Sequence, residues 1–299
     1  MVPVDLPQNW WGKILGSTPV VMTVVATMLA GLASSEMTRA QYDRSLAAQL
    51  QSKAGDQWSF FQAKKLRSAL QHTTLDTISA NHELHPLETA ALTNLLTSAQ
   101  GGASSADVVR VLQGGKLPEP PAAAALTPEL AATVEALEKS RPDAELNPLL
   151  AQVDDQTLET ALRSARERAL ALDALTSPLS RAIDTAEDSL TAASPGGMNV
   201  HRDFTAARLR YNAQRYDLEA RHNQSIAVLY ELQVRKNNIS AERHYKRSGR
   251  FFYGMLAAQM AVIIATFAIA ARKRSFLWSI AAVAGIAAVA FAVYVYLYV

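Results

Sequence analysis

The chain has 299 residues, a formal net charge of +2 and no cysteine. The lack of cysteine excludes disulfides, thiolate metal sites and cysteine catalysis. Charge is concentrated in residues 36–250, which hold 25 basic and 26 acidic residues. A block so close to neutral lacks the positive field that nucleic-acid binding usually needs, so we expect no nucleic-acid partner.

Three uncharged runs flank this block and predict membrane helices. The runs, of 22, 21 and 25 residues, are Ile14–Ser35, Phe251–Ala271 and Ser275–Val299. About 20 apolar residues in a helix cross the hydrocarbon core of a bilayer, so each run is long enough. We interpret the first run as a retained span, because Trp10 and Trp11 precede it as interfacial anchors. The alternative is a signal peptide with its cleavage site at Gly31-Leu32-Ala33.

Proline placement predicts two long helices with an insert between them. Nine of the twelve prolines fall between Pro86 and Pro195, and proline interrupts helices. The first long stretch carries an apolar line at three- and four-residue steps: Leu46, Leu50, Ala54, Trp58, Phe61, Ala63, Leu66 and Leu70. The return stretch carries a heptad stripe: Phe204, Tyr211, Leu218, Ser225, Leu232 and Ile239. The candidate helix-packing or interaction residues are Trp58, Phe61, Leu66, Phe204, Tyr211, Leu218, Leu232 and Ile239.

The insert is acidic and divided by glycine and proline. Residues 80–201 hold 8 basic and 17 acidic residues, whereas residues 202–250 hold 11 basic and 5 acidic ones. Thr127 and Ser177 each precede a proline, which is typical of a helix N-terminus. The predicted short helices are Pro86–Gln100, Ser105–Gln113, Thr127–Ser140, Asp154–Leu175 and Pro178–Ala193.

The predicted fold class is all-α: a membrane protein with three transmembrane helices, a long two-helix coiled stalk and a small helical cap. The predicted segments, in order, are a tail at 1–13, a transmembrane helix at 14–35, a stalk helix at 36–80, the acidic insert or cap at 81–200, a second stalk helix at 201–250, a transmembrane helix at 251–271, a basic turn at 272–275 and a transmembrane helix at 276–299.

The basic turn determines the predicted orientation. Lysine and arginine in short loops favour the cytoplasmic side, so Arg272, Lys273 and Arg274 place the large block outside the cytoplasm. The block has membrane-proximal basic residues of its own, among them Arg247 and Arg250. If those residues dominate, the orientation is inverted, and this alternative stays open.

Two patterns suggest chemistry. His82 and His85 lie three apart and share a face if they are helical, as zinc ligands can, but Pro86 follows at once and favours an exposed helix end. Trp58 and Phe61 precede Lys64 and Lys65, so they form either a base-stacking surface or an interhelical packing cluster. We favour packing, with Phe204 and Tyr211 as partners across it. The sequence predicts no catalytic residue, metal site or cofactor.

The segment Asp56-Gln57-Trp58-Ser59-Phe60-Phe61-Gln62-Ala63-Lys64-Lys65-Leu66-Arg67 resembles the hallmark of the bacterial membrane proteins grouped as domain-of-unknown-function family 4337. The resemblance extends to the basic turn and to Leu277-Trp278. It implies an integral membrane protein of bacterial type, and together with the orientation predicted from the basic turn this places the large block in the periplasm, on the outer side of the inner membrane. It implies no activity, and the insert after Asn81 is longer than we expect for the family.

These features favour a non-enzymatic integral membrane protein that acts as a scaffold, an oligomeric assembly or an accessory subunit. Its expected partners are the lipid bilayer and either further copies of itself or a larger membrane complex. The alternative is a subunit of a proton-driven motor or channel, because such proteins can share the order of one span, a large domain and two spans. The uncharged spans weigh against that alternative, since ion and proton paths usually need charged groups.

Overall fold

The computed structural model describes residues 10–88, 93, 105–122, 125–193, 198–270 and 276–298. In this part of the chain all regular structure is helical, which confirms the all-α class. The helices are α1 (Trp10–Asn81), α2 (Ser105–Gly114), α3 (Pro128–Glu138), α4 (Asp143–Gln152), α5 (Asp155–Ala193), α6 (Met198–Ala270) and α7 (Phe276–Tyr298).

Helices α1 and α6, of 72 and 73 residues, each continue from an apolar run into the charged block. Both contain a window apolar and long enough to cross a membrane, with mean hydropathies of 1.6 and 1.9. The corresponding apolar stretch of α7 is shorter and spans Ser279–Phe291. By length and composition, the described residues therefore include two helices that could cross a membrane, rather than the predicted three.

The insert differs from prediction at two places. Helix α5 continues through Pro178, where we expected a break. Packing explains the continuity, because Leu172 and Leu179 on either side of the proline are both buried and tertiary contacts override local propensity. The sequence also missed α4, which has Pro148 in its interior. Most of the predicted helix Pro86–Gln100 lies outside the described residues.

Contacts divide the chain into two compact units, residues 1–48 with 234–299 (unit 1) and residues 49–233 (unit 2). In unit 1 most buried positions are small, with Leu29 and Phe251 among the exceptions. The small ones form a seam, called here the small-residue seam, made of Ala26, Ala33, Ala40 and Ala47 on α1, Gly254, Ala258, Ala261, Ala265 and Ala268 on α6, and Ala281, Gly285 and Ala288 on α7. Large apolar side chains such as Met28, Phe267 and Ile286 are exposed instead.

Unit 2 has the opposite arrangement, with large side chains inside. Its main cluster joins Val108 and Leu112 of α2 to Ile183 of α5 and to Phe204 and Tyr211 of α6. Further along, six leucines are almost completely buried: Leu130, Leu146, Leu150, Leu158, Leu172 and Leu232. Burial of such side chains is the main stabilising term in a water-soluble domain.

Candidate functional site

Charged residues of Asp56–Arg67, called here the family-like segment, connect α1 to α6 within unit 2. Lys64 Nζ bonds to Glu219 Oε2, and Lys65 Nζ bonds to Asp217 Oδ1. One turn further along α1, buried Ser68 donates a 2.9 Å hydrogen bond to the carbonyl oxygen of Ala213. These contacts fix the antiparallel register of the two helices, and we call them the α1–α6 clasp.

Tyr216 lies at the centre of the clasp. The charged groups of Lys64, Arg67 and Arg215 lie 5.2, 5.9 and 4.7 Å from its ring centroid, within the range of cation–π attraction. The hydrogen bond from Lys65 holds the pKa of the Asp217 carboxyl below its usual value, although partial burial opposes this shift. The basic residues of the motif therefore serve interhelical packing.

The aromatic pair of the motif does not pack as we predicted. Trp58 and Phe61 are half-buried and meet edge to face, with centroids 5.5 Å apart. Phe204 and Tyr211, expected opposite them, lie instead in the cluster with α2 and α5. The antiparallel register explains the error. Because Ser68 lies opposite Ala213, the earlier residue Trp58 falls opposite a later part of α6.

The other candidate packing residues differ in burial. Leu232 is fully buried, and Leu218 and Ile239 are half-buried. Leu66 is 63% exposed, so in this chain it does not pack between the helices, contrary to our expectation. The buried stripe of α1 passes through Lys64, Ser68 and Leu75 instead.

The remaining predicted sites are accounted for as follows. Helix α1 ends at Asn81, so His82 and His85 follow it in non-helical chain, and His85 Nδ1 lies 3.8 Å from Asp203 Oδ2. Among the described residues no group of three or more His, Asp or Glu side chains is placed to hold a metal ion. The topology residues Arg272, Lys273 and Arg274 lie outside the described part of the chain.

Sequence reasoning missed a cleft of about 480 Å³ in unit 2, bounded by α3, α5 and α6. Helix α5 lines it with small side chains at successive turns, including Thr157, Ala161 and Ser164. Leu130 and Val134 of α3 and Leu229 of α6 supply apolar walls. The volume lies in the range of small-molecule sites. We call this space the His222 cleft.

Two side chains of the cleft each have one buried nitrogen without a hydrogen-bond partner among the described residues. His222 is only 8% exposed, and its Nε2 has no partner among the described residues. Nε of Arg168, which also lines the cleft, is likewise buried and unpaired in the described structure. Burial, and then the positive charge of Arg168, lower the pKa of His222 below its ordinary value. The imidazole is therefore neutral at pH 7.

No short motif marks the cleft, because its residues come from three helices and from positions up to about a hundred apart in sequence. One weak signal was present. Thr157, Thr160, Ala161, Ser164 and Ala165 give α5 a face of small residues at helical spacing beside its leucine face. A face too small to fill the space against two neighbouring helices leaves a cavity.

Comparison with known proteins finds no curated protein and no solved structure that matches the chain. One family model matches residues 11–106, about a third of the chain. The match includes nearly all of α1 with Asp56–Arg67, but neither α6 nor the basic turn and Leu277-Trp278, to which we extended the resemblance. The matching family is described as Domain of unknown function (DUF4337), which confirms the resemblance drawn from Asp56–Arg67.

Proposed function

We propose that the protein is a non-enzymatic integral membrane protein, with three spans in unit 1 and a helical scaffold in unit 2. The observation that carries the membrane assignment is the inverted packing of unit 1. Each of its three helices buries alanine or glycine and exposes large apolar side chains. Helices associate through small residues in lipid, where large apolar groups gain nothing from being covered.

The exposed residues of unit 1 support this assignment because they form continuous surfaces. On α7 the exposed fractions are 66% for Val283, 70% for Ile286 and 63% for Leu297, and on α6 Phe267 is 65% exposed. Soluble monomers rarely expose contiguous apolar patches of this kind. Such surfaces are expected where lipid, rather than water, surrounds the helices.

The close packing of the seam supports a third span. A Cβ atom on Gly285 of α7 would lie 2.5 Å from Met22 Sδ of α1, and one on Gly254 of α6 would lie 3.3 Å from Leu29 Cδ1. Phe291 of α7 also packs beside Leu29 and Phe251. Helix α7 therefore shares one seam with α1 and α6, as expected if all three cross the membrane together.

The scaffold assignment is supported by the organisation of unit 2. The α1–α6 clasp, a polar cluster of unit 2, is engaged in interhelical contacts, and the exposed apolar residues Phe60, Leu66 and Leu70 lie on α1 as well. We propose that unit 2 assembles with further copies or with a larger membrane complex on the periplasmic side of a bacterial inner membrane.

Two measurements test the proposal. Alkaline carbonate extraction should leave the protein in the membrane pellet, and release into the supernatant would contradict the membrane assignment. In mild detergent the protein should elute as an oligomer or with a partner, and a monomer without a partner would contradict the scaffold assignment.

Orientation is tested with a single cysteine, since the chain has none. Ser140→Cys, at an exposed turn after α3, should react with a membrane-impermeant thiol reagent in intact spheroplasts. A control cysteine in a cytoplasmic protein should react only after lysis. If Ser140→Cys also needs lysis, unit 2 is cytoplasmic.

A subunit of a proton-driven motor or channel is the second candidate, and one contact in unit 1 favours it. Glu36 follows the first apolar run and, largely buried, lies 2.5 Å from His244 Nδ1. Such a pair can exchange protons beside a membrane. Glu36→Gln should abolish proton-dependent activity of the complex if this candidate is correct, whereas the scaffold assignment predicts unchanged assembly and no proton-dependent activity in either variant.

A further inference from the structure

The His222 cleft contains a cation without a protein counter-ion. Arg168 forms no ion pair with any described residue, and its Nε is shielded from water without a hydrogen-bond partner. Arg208 also has a buried Nε without a hydrogen-bond partner, but Glu187 neutralises its guanidinium, as Asp217 does that of Arg221. A buried guanidinium N–H without an acceptor is costly, and Arg168 has no carboxylate beside it, so its surroundings favour an added anion.

The imidazole beside it is also unsatisfied. A neutral histidine has one N–H donor and one acceptor nitrogen, and His222 Nε2 is buried, with no partner in the described chain. In the tautomer with hydrogen on Nε2, the ring donates to an acceptor. In that tautomer Arg168 and His222, which line the same cleft, both lack an acceptor.

From this geometry we infer that the His222 cleft binds a small monocarboxylate, with the carboxylate on Arg168 and its apolar body against α3 and α6. The guanidinium fork matches a carboxylate in shape and charge. The hydroxyls of Thr160, Ser164 and Ser225 line the path to it. Leu130 and Val134 provide the surface that covers the apolar body.

The rim limits the charge of the ligand. Glu138 and Asp154, both exposed, lie at the edge of the cleft. With Arg168 as the single cation among the lining residues and His222 neutral, the two carboxylates repel a phosphate or any other multiply charged anion. A monoanion balances Arg168 and is repelled less by the two rim carboxylates than a multiply charged anion is.

The test uses full-length protein in lipid nanodiscs, labelled with ¹⁵N-histidine and titrated with benzoate and hexanoate. The matched neutral probes are benzamide and hexanamide. At least one carboxylate should shift the His222 ring signals saturably, binding at least tenfold more tightly than its amide. Because a bound anion favours the imidazolium, it should also raise the pKa of His222. The His222→Gln variant identifies the signals.

Variants assign the binding to the cleft. Arg168→Gln should weaken carboxylate binding at least tenfold, whereas Arg163→Gln, an exposed position on the same helix outside the cleft, should bind as the parent does. Ala161→Leu should block binding by filling the cleft without changing its charge. This variant decides the question if Arg168→Gln fails to fold.

Three results would overturn the inference. One is the absence of a saturable His222 shift with either carboxylate. Another is equal binding of acid and amide. The third is parent-like binding by folded Arg168→Gln or Ala161→Leu. None of these results bears on membrane anchoring or assembly, so the inference stands or fails independently of the proposed scaffold.

Discussion

Units 1 and 2 are built from the same two long helices but differ in what they bury. Where α1 and α6 form unit 1, most buried positions are alanine, Leu29 and Phe251 are among the few large ones, and most large apolar side chains face outward. In unit 2 leucine, isoleucine and aromatic side chains are inside. Lipid around unit 1, as we propose, would account for this contrast, whereas helix propensity does not distinguish the two units.

Polar contacts between α1 and α6 are similar in the two units. Ion pairs surround Tyr216 in unit 2, and Glu36 contacts His244 in unit 1. In each unit a buried serine donates a hydrogen bond to a carbonyl oxygen across the helix pair, at 2.7 Å from Ser248 in unit 1 and at 2.9 Å in unit 2. The units therefore differ in the size of their buried apolar residues, and small residues are what helix association in the proposed lipid surroundings would use.

The contrast between the units is tested most directly by introducing lysine at one exposed apolar position in each of them. Ile286→Lys in unit 1 and Leu66→Lys in unit 2 change side chains that are 70% and 63% exposed. In a bilayer the first should cost about 2.5–3.5 kcal/mol of insertion free energy. The second should change unfolding free energy by less than about 0.5 kcal/mol, as exposed positions in water do. Membrane-insertion and denaturation assays measure these effects, and a neutral Ile286→Lys would place unit 1 in water.

Overpacking the seam should have the next largest effect. Ala288 is 1% exposed and neighbouring Ala287 is exposed on the same helix. Ala288→Leu should destabilise the protein by about 1–3 kcal/mol because the seam has no room for the added atoms. Ala287→Leu is the matched control and should be nearly neutral in lipid. Thermal unfolding in nanodiscs compares them, and equal melting temperatures would contradict the described seam.

A smaller effect is expected from the buried hydroxyl of unit 2. Tyr211 Oη lies 2.9 Å from Ser180 Oγ and 3.1 Å from the carbonyl oxygen of Thr176, beside Pro178. Tyr211→Phe should lower the unfolding free energy by about 0.5–1.5 kcal/mol. Tyr42→Phe, at a 68% exposed site, is the control. Chemical denaturation measures the unfolding free energies, and a value for Tyr211→Phe equal to that of the parent would contradict the network.

The smallest effect concerns pH. The folded pKa of His222 lies below its ordinary value because the ring is buried near Arg168. The unfolded chain therefore binds this proton more readily, so stability present above about pH 6.5 decreases as pH falls toward the folded pKa. His222→Gln should reduce the loss of stability between pH 8 and pH 5.5. At pH 8 the slopes of both proteins should agree, and an unchanged loss at pH 5.5 would contradict the burial of a neutral ring.

Much of the helical framework followed from sequence. Proline-free stretches predicted α1 and α6, and Thr127-Pro128 marked the start of α3, where Thr127 Oγ1 accepts a hydrogen bond from the Leu130 amide. Prediction failed at Pro178 and at α4, because packing against neighbouring helices overrode the local effect of proline. The His222 cleft was not predictable, because its walls are unrelated in sequence until the chain folds.

The sequence by itself determined that the chain is helical, that its ends are apolar and that Asp56–Arg67 marks a family-like segment. It determined only part of the buried face of α1. The predicted line passes through buried Leu50 and Ala54 but ends at Leu66 and Leu70, which are exposed, while alanine at every seventh position from Ala26 to Ala54 is buried. Alanine carries little hydrophobic signal. Its role is to let two backbones approach, and that becomes visible only when the second backbone is in place.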